Sequence, residues 1–354
     1  MAVMNRGDRS GGRPYDAAMI EPLTRLLRFD APAAAATLPS EIAARAAREP
    51  LALHQDGTGW RAEVRLPRLE RRDLVVPSLV LGTHIPERYD LRFRWTGATI
   101  DLAPIALRPD LVLDGPPARL DTVGARAGRA IGGLDCMEVV EPIADCVLEL
   151  AGTGPVPEDA VLLVSVRTGR IDPVDTGARA PDLDVPGRSQ MTHSAEIARH
   201  ICSPISVCMV MARADVHPDP ETFARASEHP HHSKLFGLWP LNLARARSAG
   251  FSGCVRIFDD VSEAARLLEL GYPIVTSIRF EAGALPGAPL PRTSGHLVVL
   301  RGLGARDVLV NDPAAPDDAA VPHRYDRASF LRAWLSDRGV AYVLWPAAVT
   351  DEAA

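Results

Sequence analysis

The chain reads as an α+β protein in two parts. A β-sandwich-like domain comes first, and a unit in which helices precede antiparallel strands follows. Three observations carry this. Residues 44–170 hold short β-prone runs separated by turn residues. Residues 171–188 are rich in Pro, Gly and Asp. Residues 189–347 then turn to apolar helical stretches followed by apolar strand stretches. With 354 residues the chain has room for two cores. At 47% hydrophobic and 24% charged, it has the composition of a soluble globular protein.

Residues 1–43 read as a flexible arm. Met1 to Pro14 is polar and rich in Gly and Arg, without the apolar centre of a secretory signal. Ile20 to Arg28 fits one short amphipathic helix, and Ala31-Pro-Ala-Ala-Ala-Ala fits a linker. In the β-rich part, Gly59 to Val64, Leu79 to Leu81, Tyr89 to Trp95 and Val161 to Val166 read as strands. Tyr89, Leu91, Phe93 and Trp95 alternate with polar partners, as a half-buried strand requires. Several such strands suggest a sandwich. Residues 171–188 form the interdomain linker. Helices are expected over Cys202 to Ala214, Pro220 to Ser227, Trp239 to Ala249 and Ser262 to Leu270. Asp260 before the last, and Gly271 after it, are start and stop signals. Strands are expected over Ile274 to Phe280, His296 to Gly302, Asp307 to Asn311 and Val340 to Trp345, with a tail at 348–354.

Charge and cysteine content narrow the function. The formal charge is −6 and no basic block exists, so nucleic acid is not an expected partner. No stretch reaches about 18 apolar residues, so no membrane span is expected. The cysteines, at 136, 146, 202, 208 and 254, are odd in number and contain no CxxC pair. Zinc-ribbon and thioredoxin readings therefore fail, and a leftover thiol fits a reducing, cytoplasmic setting. Cys136 and Cys146 could pair across a hairpin.

The chemistry gathers around Cys202. Pro204 suits a first helical turn, and Val207, Val210 and Met211 supply the apolar face behind it. Cys202 is thus at a helix N-terminus, where the helix dipole and unpaired N–H groups favour thiolate and can hold an oxyanion. Cys208, inside the same helix, reads as core. A free cysteine is more often buried and inert, so position is what singles out Cys202. His296 lies in the strand-like Gly295-His-Leu-Val-Val-Leu, where Gly295 allows close approach of another chain. As a base it would take the thiol proton and later return it to the leaving group. Asp312, before Pro313, is either a turn former or the group that orients His296. Asn311 is the neighbouring candidate, with Asp312 preferred. A cysteine opening a helix, a histidine on a strand and a carboxylate after the next strand make the chain order of a papain-like cysteine hydrolase. Gln190, twelve residues before Cys202, is the candidate amide donor of its oxyanion hole.

Taken together, Gln190, Cys202-Ser-Pro-Ile-Ser-Val-Cys-Met-Val-Met, Gly237-Leu-Trp-Pro, Ser294-Gly-His-Leu-Val-Val-Leu-Arg-Gly, Val310-Asn-Asp-Pro-Ala-Ala and Tyr325 to Trp334 resemble the papain-like cysteine peptidases of family thirty-nine. These are relatives of the double-glycine leader peptidases, and the stand-alone branch is the nearer likeness. The resemblance covers about residues 186–347. It implies a papain-like fold, a peptide or protein substrate, Cys202 as nucleophile, His296 as base, Asp312 as orienter and Gln190 as oxyanion donor, with no metal and no organic cofactor. Ile205 stands where the family pattern has threonine, and the Gln190-to-Cys202 gap is longer than in transporter-fused enzymes. The chain has no GxxxxGK[ST] motif. An amidase or acyltransferase on the same triad, and an inactive peptide-binding module, are the rival readings. His229-Pro-His-His reads as a polar loop and Gly132-Gly133 as a turn. Gly283 to Pro291 reads as a loop bordering the cleft.

Overall fold

The structure is a computed structural model describing residues 24–34, 38, 39, 42, 46–107, 126–169, 171–229, 233–336 and 338–347. The head of the arm, the tail, and His231 and His232 lie outside the described residues.

The β-rich part is two sheets packed face to face. The first runs, in spatial order, β2 (Arg48–Pro50), β1 (Thr24–Asp30), β13 (Val161–Thr168), β5 (Asp73–Val80), β11 (Met137–Val139), β10 (Ala130–Gly132) and β9 (Arg126–Ala127). The second runs β3 (His54–Asp56), β4 (Gly59–Arg65), β12 (Val147–Thr153), β6 (Arg88–Trp95) and β7 (Ala98–Asp101), with β8 (Ile105–Ala106) beside β6. Trp60, Leu91, Phe93, Leu148 and Leu150 of the second sheet meet Phe29, Val75, Leu162, Val164 and Val166 of the first in one core.

The two sheets differ in what covers their other faces. β6 alternates buried and exposed positions because its outer face meets water. β5 is buried at every residue and β13 at all but its last. Leu74, Val76, Val80, Val161 and Leu163 point away from the sandwich core into the core of the second unit. The sandwich-like reading holds, but Thr24–Asp30 is a correction to the helix expected over Ile20 to Arg28. The segment pairs antiparallel with β13 along its length, from Thr24↔Arg167 to Asp30↔Val161. Its apolar residues fit a helical stripe equally well, and the long-range partner decides the outcome. Pro77 hides β5 from sequence reading. It is tolerated because β11 pairs only with Leu74 and Val75, so at Pro77 the strand has a neighbour on one side.

The second unit contains α1 (Cys202–Ala212), α2 (Pro220–Ala226), α3 (Trp239–Ser248), α4 (Val261–Glu269) and α5 (Arg327–Leu335). Its antiparallel sheet runs β14 (Phe251–Ile257), β19 (Val340–Pro346), β15 (Ile274–Phe280), β16 (Thr293–Leu303), β17 (Asp307–Asn311) and β18 (Pro322–Asp326). Strands β14 and β18 and helix α5 go beyond the elements expected from sequence. Every residue of α1 after Cys202 is buried, so this helix is the axis of the unit. Asp260, Asp219 and Asp326 cap α4, α2 and α5 by accepting backbone N–H bonds.

The two units are joined along β14, an edge strand buried at all seven positions. Its Val255 and Ile257 N–H groups donate to the hydroxyls of Ser78 (2.9 Å) and Ser165 (3.2 Å) on the first sheet. The sandwich therefore covers the edge that would otherwise be open to pairing. Arg245 of α3 donates to the carbonyls of Leu107 and Ala106, and Arg247 to that of Gly82. The segment expected as linker is a strap on the second unit. Val174 bridges Asp260, Ala180 bridges Leu303, and Arg327 grips Asp175 with Nε and Nη2.

Candidate active site

Cys202 begins α1. The preceding Ile201 gives no side-chain cap, so the first N–H groups of the helix are unclaimed by any cap. The helix is clamped from behind. Ser203 Oγ lies 2.7 Å from the Tyr342 hydroxyl on β19, and Ser206 Oγ donates to Leu297 O at 3.2 Å. Cys202 itself is half-buried.

His296 enters from β16, where it pairs with Ile278 of β15, and is 2% exposed. Its Nε2 is 2.7 Å from Asp312 Oδ1. That contact puts the Nε2 proton toward the carboxylate and leaves Nδ1 for the thiol. The His296 ring and the Leu297 N–H both act on the Cys202 thiol in the direction that favours thiolate. Asp312 follows the end of β17. Its Oδ1 also accepts Ala314 N–H at 2.9 Å, and its Oδ2 accepts the Tyr325 hydroxyl at 2.7 Å. Asn311 turns the other way and donates its amide to Val185 O at 2.8 Å. Strand alternation thus sends one of the two neighbours to the imidazole, and it is the carboxylate.

Gln190 lies on a short 3-10 turn, Gln190–Thr192, capped by Ser189. Its N–H donates to Pro313 O at 2.8 Å, and Ser189 Oγ donates to Ala315 O at 2.5 Å. The loop that carries Asp312 therefore also fixes Gln190. Gln190 is 4% exposed, and its Oε1 is buried with no partner.

The electrostatics separate one thiol from the others. Burial pushes Cys136, Cys146, Cys208 and Cys254 up to about 12. Burial acts the same way on Cys202, but the His296 hydrogen bond and charge, with the Leu297 N–H, outweigh it and bring the thiol below its ordinary value. For His296, burial disfavours the cation. The Asp312 charge and hydrogen bond, then Cys202, reverse this and raise the imidazole. Burial raises Asp312, but His296, Tyr325 and Ala314 together hold it below the ordinary carboxylate range. These directions favour a thiolate beside an imidazolium.

Of the other sequence candidates, Gly133, His229 and the loop before His296 are described. Gly133 lies in a tight turn, its N–H on Cys136 O at 2.8 Å. A side chain at Gly133 would meet Cys136 Sγ at 2.9 Å. His229 is 2% exposed, and its N–H donates to Leu235 O. Among the described residues no group of three His, Cys, Asp or Glu side chains could hold a metal. Residues 281–292 connect β15 to β16, rooted by the Phe280↔Thr293 pair beside the Ile278↔His296 pair, with Leu285 buried. Around Gly295 a side chain would meet open space. Sequence reasoning missed the contact of Tyr325 with Asp312. The available signal was a tyrosine on a strand otherwise facing water, since a buried tyrosine hydroxyl needs a partner.

Comparison with known proteins finds one family model over part of the chain. The Peptidase_C39 like family model matches residues 182–342. Among solved structures, a double glycine motif protease from an AMS/PCAT transporter, in complex with the leader peptide, is 19% identical. The match covers 48% of this chain and 97% of that one, with a TM-score of 0.32. A C39-like peptidase structure from Bacillus anthracis is 17% identical over 47% of this chain and 97% of that one, with a TM-score of 0.36. No curated protein matches the chain. No described helix is long and apolar enough to cross a membrane.

Proposed function

We propose, from the premise that residues 182–342 belong to the Peptidase_C39 like family, that this chain is a cysteine peptidase hydrolysing peptide bonds through an acyl-enzyme on Cys202. The observation that carries the reading is geometric: Cys202 opens α1, and His296 Nε2 is 2.7 Å from the buried Asp312 Oδ1. The electrostatics of the five thiols point the same way. Four are pushed up by burial, and the one opening α1 is brought down by a histidine that is itself held by a carboxylate.

The proposed reaction gives each of these groups one role. The Cys202 thiolate attacks the carbonyl carbon of the scissile bond, and the carbonyl π pair moves onto oxygen. That oxyanion is held by the Cys202 backbone N–H and the Gln190 side-chain amide. As the tetrahedral species collapses, the C–N bond breaks and the leaving nitrogen takes the proton from His296 Nδ1. Water then attacks the thioester, gives its proton to His296, and releases the carboxylic product and the thiolate. Asp312 keeps the imidazole in one tautomer and supports its positive charge in both halves. The proposed setting is a reducing cytoplasm, which suits five free thiols.

The test is a mixed peptide library incubated with wild type and with Cys202→Ala. New termini that appear only with wild type, together with a mass increase on Cys202 in quenched samples, are expected. No new termini and no adduct would defeat the reading. Acyl transfer to added amines in place of water would move it to the acyltransferase class.

A further inference from the structure

Resting on the peptidase reading above, we propose that Tyr325 is a positioning residue for the triad. Its hydroxyl locks the Asp312 carboxylate so that the opposite oxygen stays aimed at His296. Asp312 has two oxygens and three donors. Oδ1 takes His296 Nε2 (2.7 Å) and Ala314 N–H (2.9 Å), and Oδ2 takes the Tyr325 hydroxyl (2.7 Å). Asp312 and Tyr325 are each 1% exposed, so water cannot replace a missing donor. Without the hydroxyl, Oδ2 is a buried acceptor with nothing to accept, and the carboxylate regains rotation about its own axis. The plane in which it meets the imidazole is then no longer fixed.

Tyr325 is itself immobile. It stacks on Phe330 of α5, with ring centroids 6.3 Å apart, and lies on β18 opposite Val308 of β17. The strand that leads into the orienter and the strand that carries its lock are therefore paired neighbours. The titratable groups facing this cluster are Cys202 and His296 across the site and His323 on β18. The His323 Nδ1 contacts Val321 O, so it does not compete for the carboxylate.

The readout is the rate of iodoacetamide labelling at Cys202 as a function of pH, which needs no substrate. Wild type, His296→Ala, Tyr325→Phe and Phe330→Leu are compared. Tyr325→Phe keeps the ring and its stacking and removes the hydroxyl alone. Its labelling midpoint is expected to rise by about one unit, an order-of-magnitude figure for an unsatisfied buried acceptor. Labelling at pH 6 should then be about tenfold slower. Phe330→Leu should lower Tm and leave the midpoint in place, because it disturbs packing without removing a donor. A Tyr325→Phe midpoint equal to wild type overturns the proposal, as does an equal upward shift in Phe330→Leu. A second measurement does not depend on any variant folding. In wild type the Tyr325 hydroxyl proton is expected as a slowly exchanging resonance that shifts when Cys202 is alkylated, because alkylation resets the His296–Asp312 pair. A resonance blind to alkylation also overturns the proposal. If wild type labels no faster than His296→Ala, the peptidase reading fails and this inference falls with it. If those two differ and Tyr325→Phe does not, only the inference fails.

Discussion

The outer face of the sandwich and the triad both consist of paired charges on antiparallel strands, yet they differ in burial. On the sandwich, Arg88 pairs with Asp90, Arg92 with Asp101, and Arg94 with Glu149 and Glu63. The Arg92 and Asp101 side chains are 50% and 59% exposed. At the triad, the His296 and Asp312 side chains are 3% and 1% exposed. Water screens the first set, and such exposed pairs contribute little to stability. The second set is desolvated, so every donor and acceptor must be matched, and a mismatch moves a proton. A basic side chain beside a carboxylate thus makes a solvated wall in one place and a candidate chemical site in the other. The deciding difference is which face the neighbouring layer covers.

The comparison can be broken most severely at the nucleophile. Cys202→Ala should abolish library hydrolysis while circular dichroism and Tm stay close to wild type, because half-burial makes this thiol a small part of the core. Removing the orienter comes next. Asp312→Ala strands the His296 ring and the Tyr325 hydroxyl in a buried pocket. Hydrolysis should fall by roughly 10²–10⁴-fold, and stability by about 3–5 kcal/mol in urea unfolding, as for a broken buried pair.

These sites were legible in sequence to different degrees, for physical reasons. Cys202, His296 and Asp312 could be placed because helix-start chemistry and strand alternation are local. The bounds of β15 and β17 are local in the same way. Thr24–Asp30 was misread because its partner, β13, is far away in sequence. β5 was reduced to its last residues because Pro77 interrupts a run that is buried on both faces. The grip of Tyr325 on Asp312 depends on two strands meeting in register, which no local pattern encodes.

Intermediate effects are expected at the seam between the units. Ser78→Ala with Ser165→Ala removes the hydroxyls that accept the β14 N–H groups. Each loss should cost about 1–3 kcal/mol, with amide exchange at Val255 and Ile257 accelerating ahead of the rest of the sheet. The smallest effect belongs to the sandwich wall. Arg92→Ala should change unfolding free energy by no more than about 1 kcal/mol, and salt should reduce even that. A large effect there would mean that the outer face is held by more than solvated pairs.

The pH dependence has a definite sign. Cys202 is lowered and His296 raised. The thiolate–imidazolium pair therefore forms as pH rises through the Cys202 value and is lost as pH rises through the His296 value. The window between them lies partly below that of an ordinary thiol, whose pKa is about 8.5. The most direct test of the account is site-resolved iodoacetamide labelling of all five cysteines in the folded chain between pH 5 and pH 9, with wild type and His296→Ala side by side. The expected result is rapid labelling of Cys202 alone below pH 7, abolished in His296→Ala, with Cys136, Cys146, Cys208 and Cys254 inert until the chain unfolds. Slow labelling of Cys202 with an ordinary thiol midpoint, unchanged by removal of His296, would contradict the claim that the fold prepares a nucleophile there.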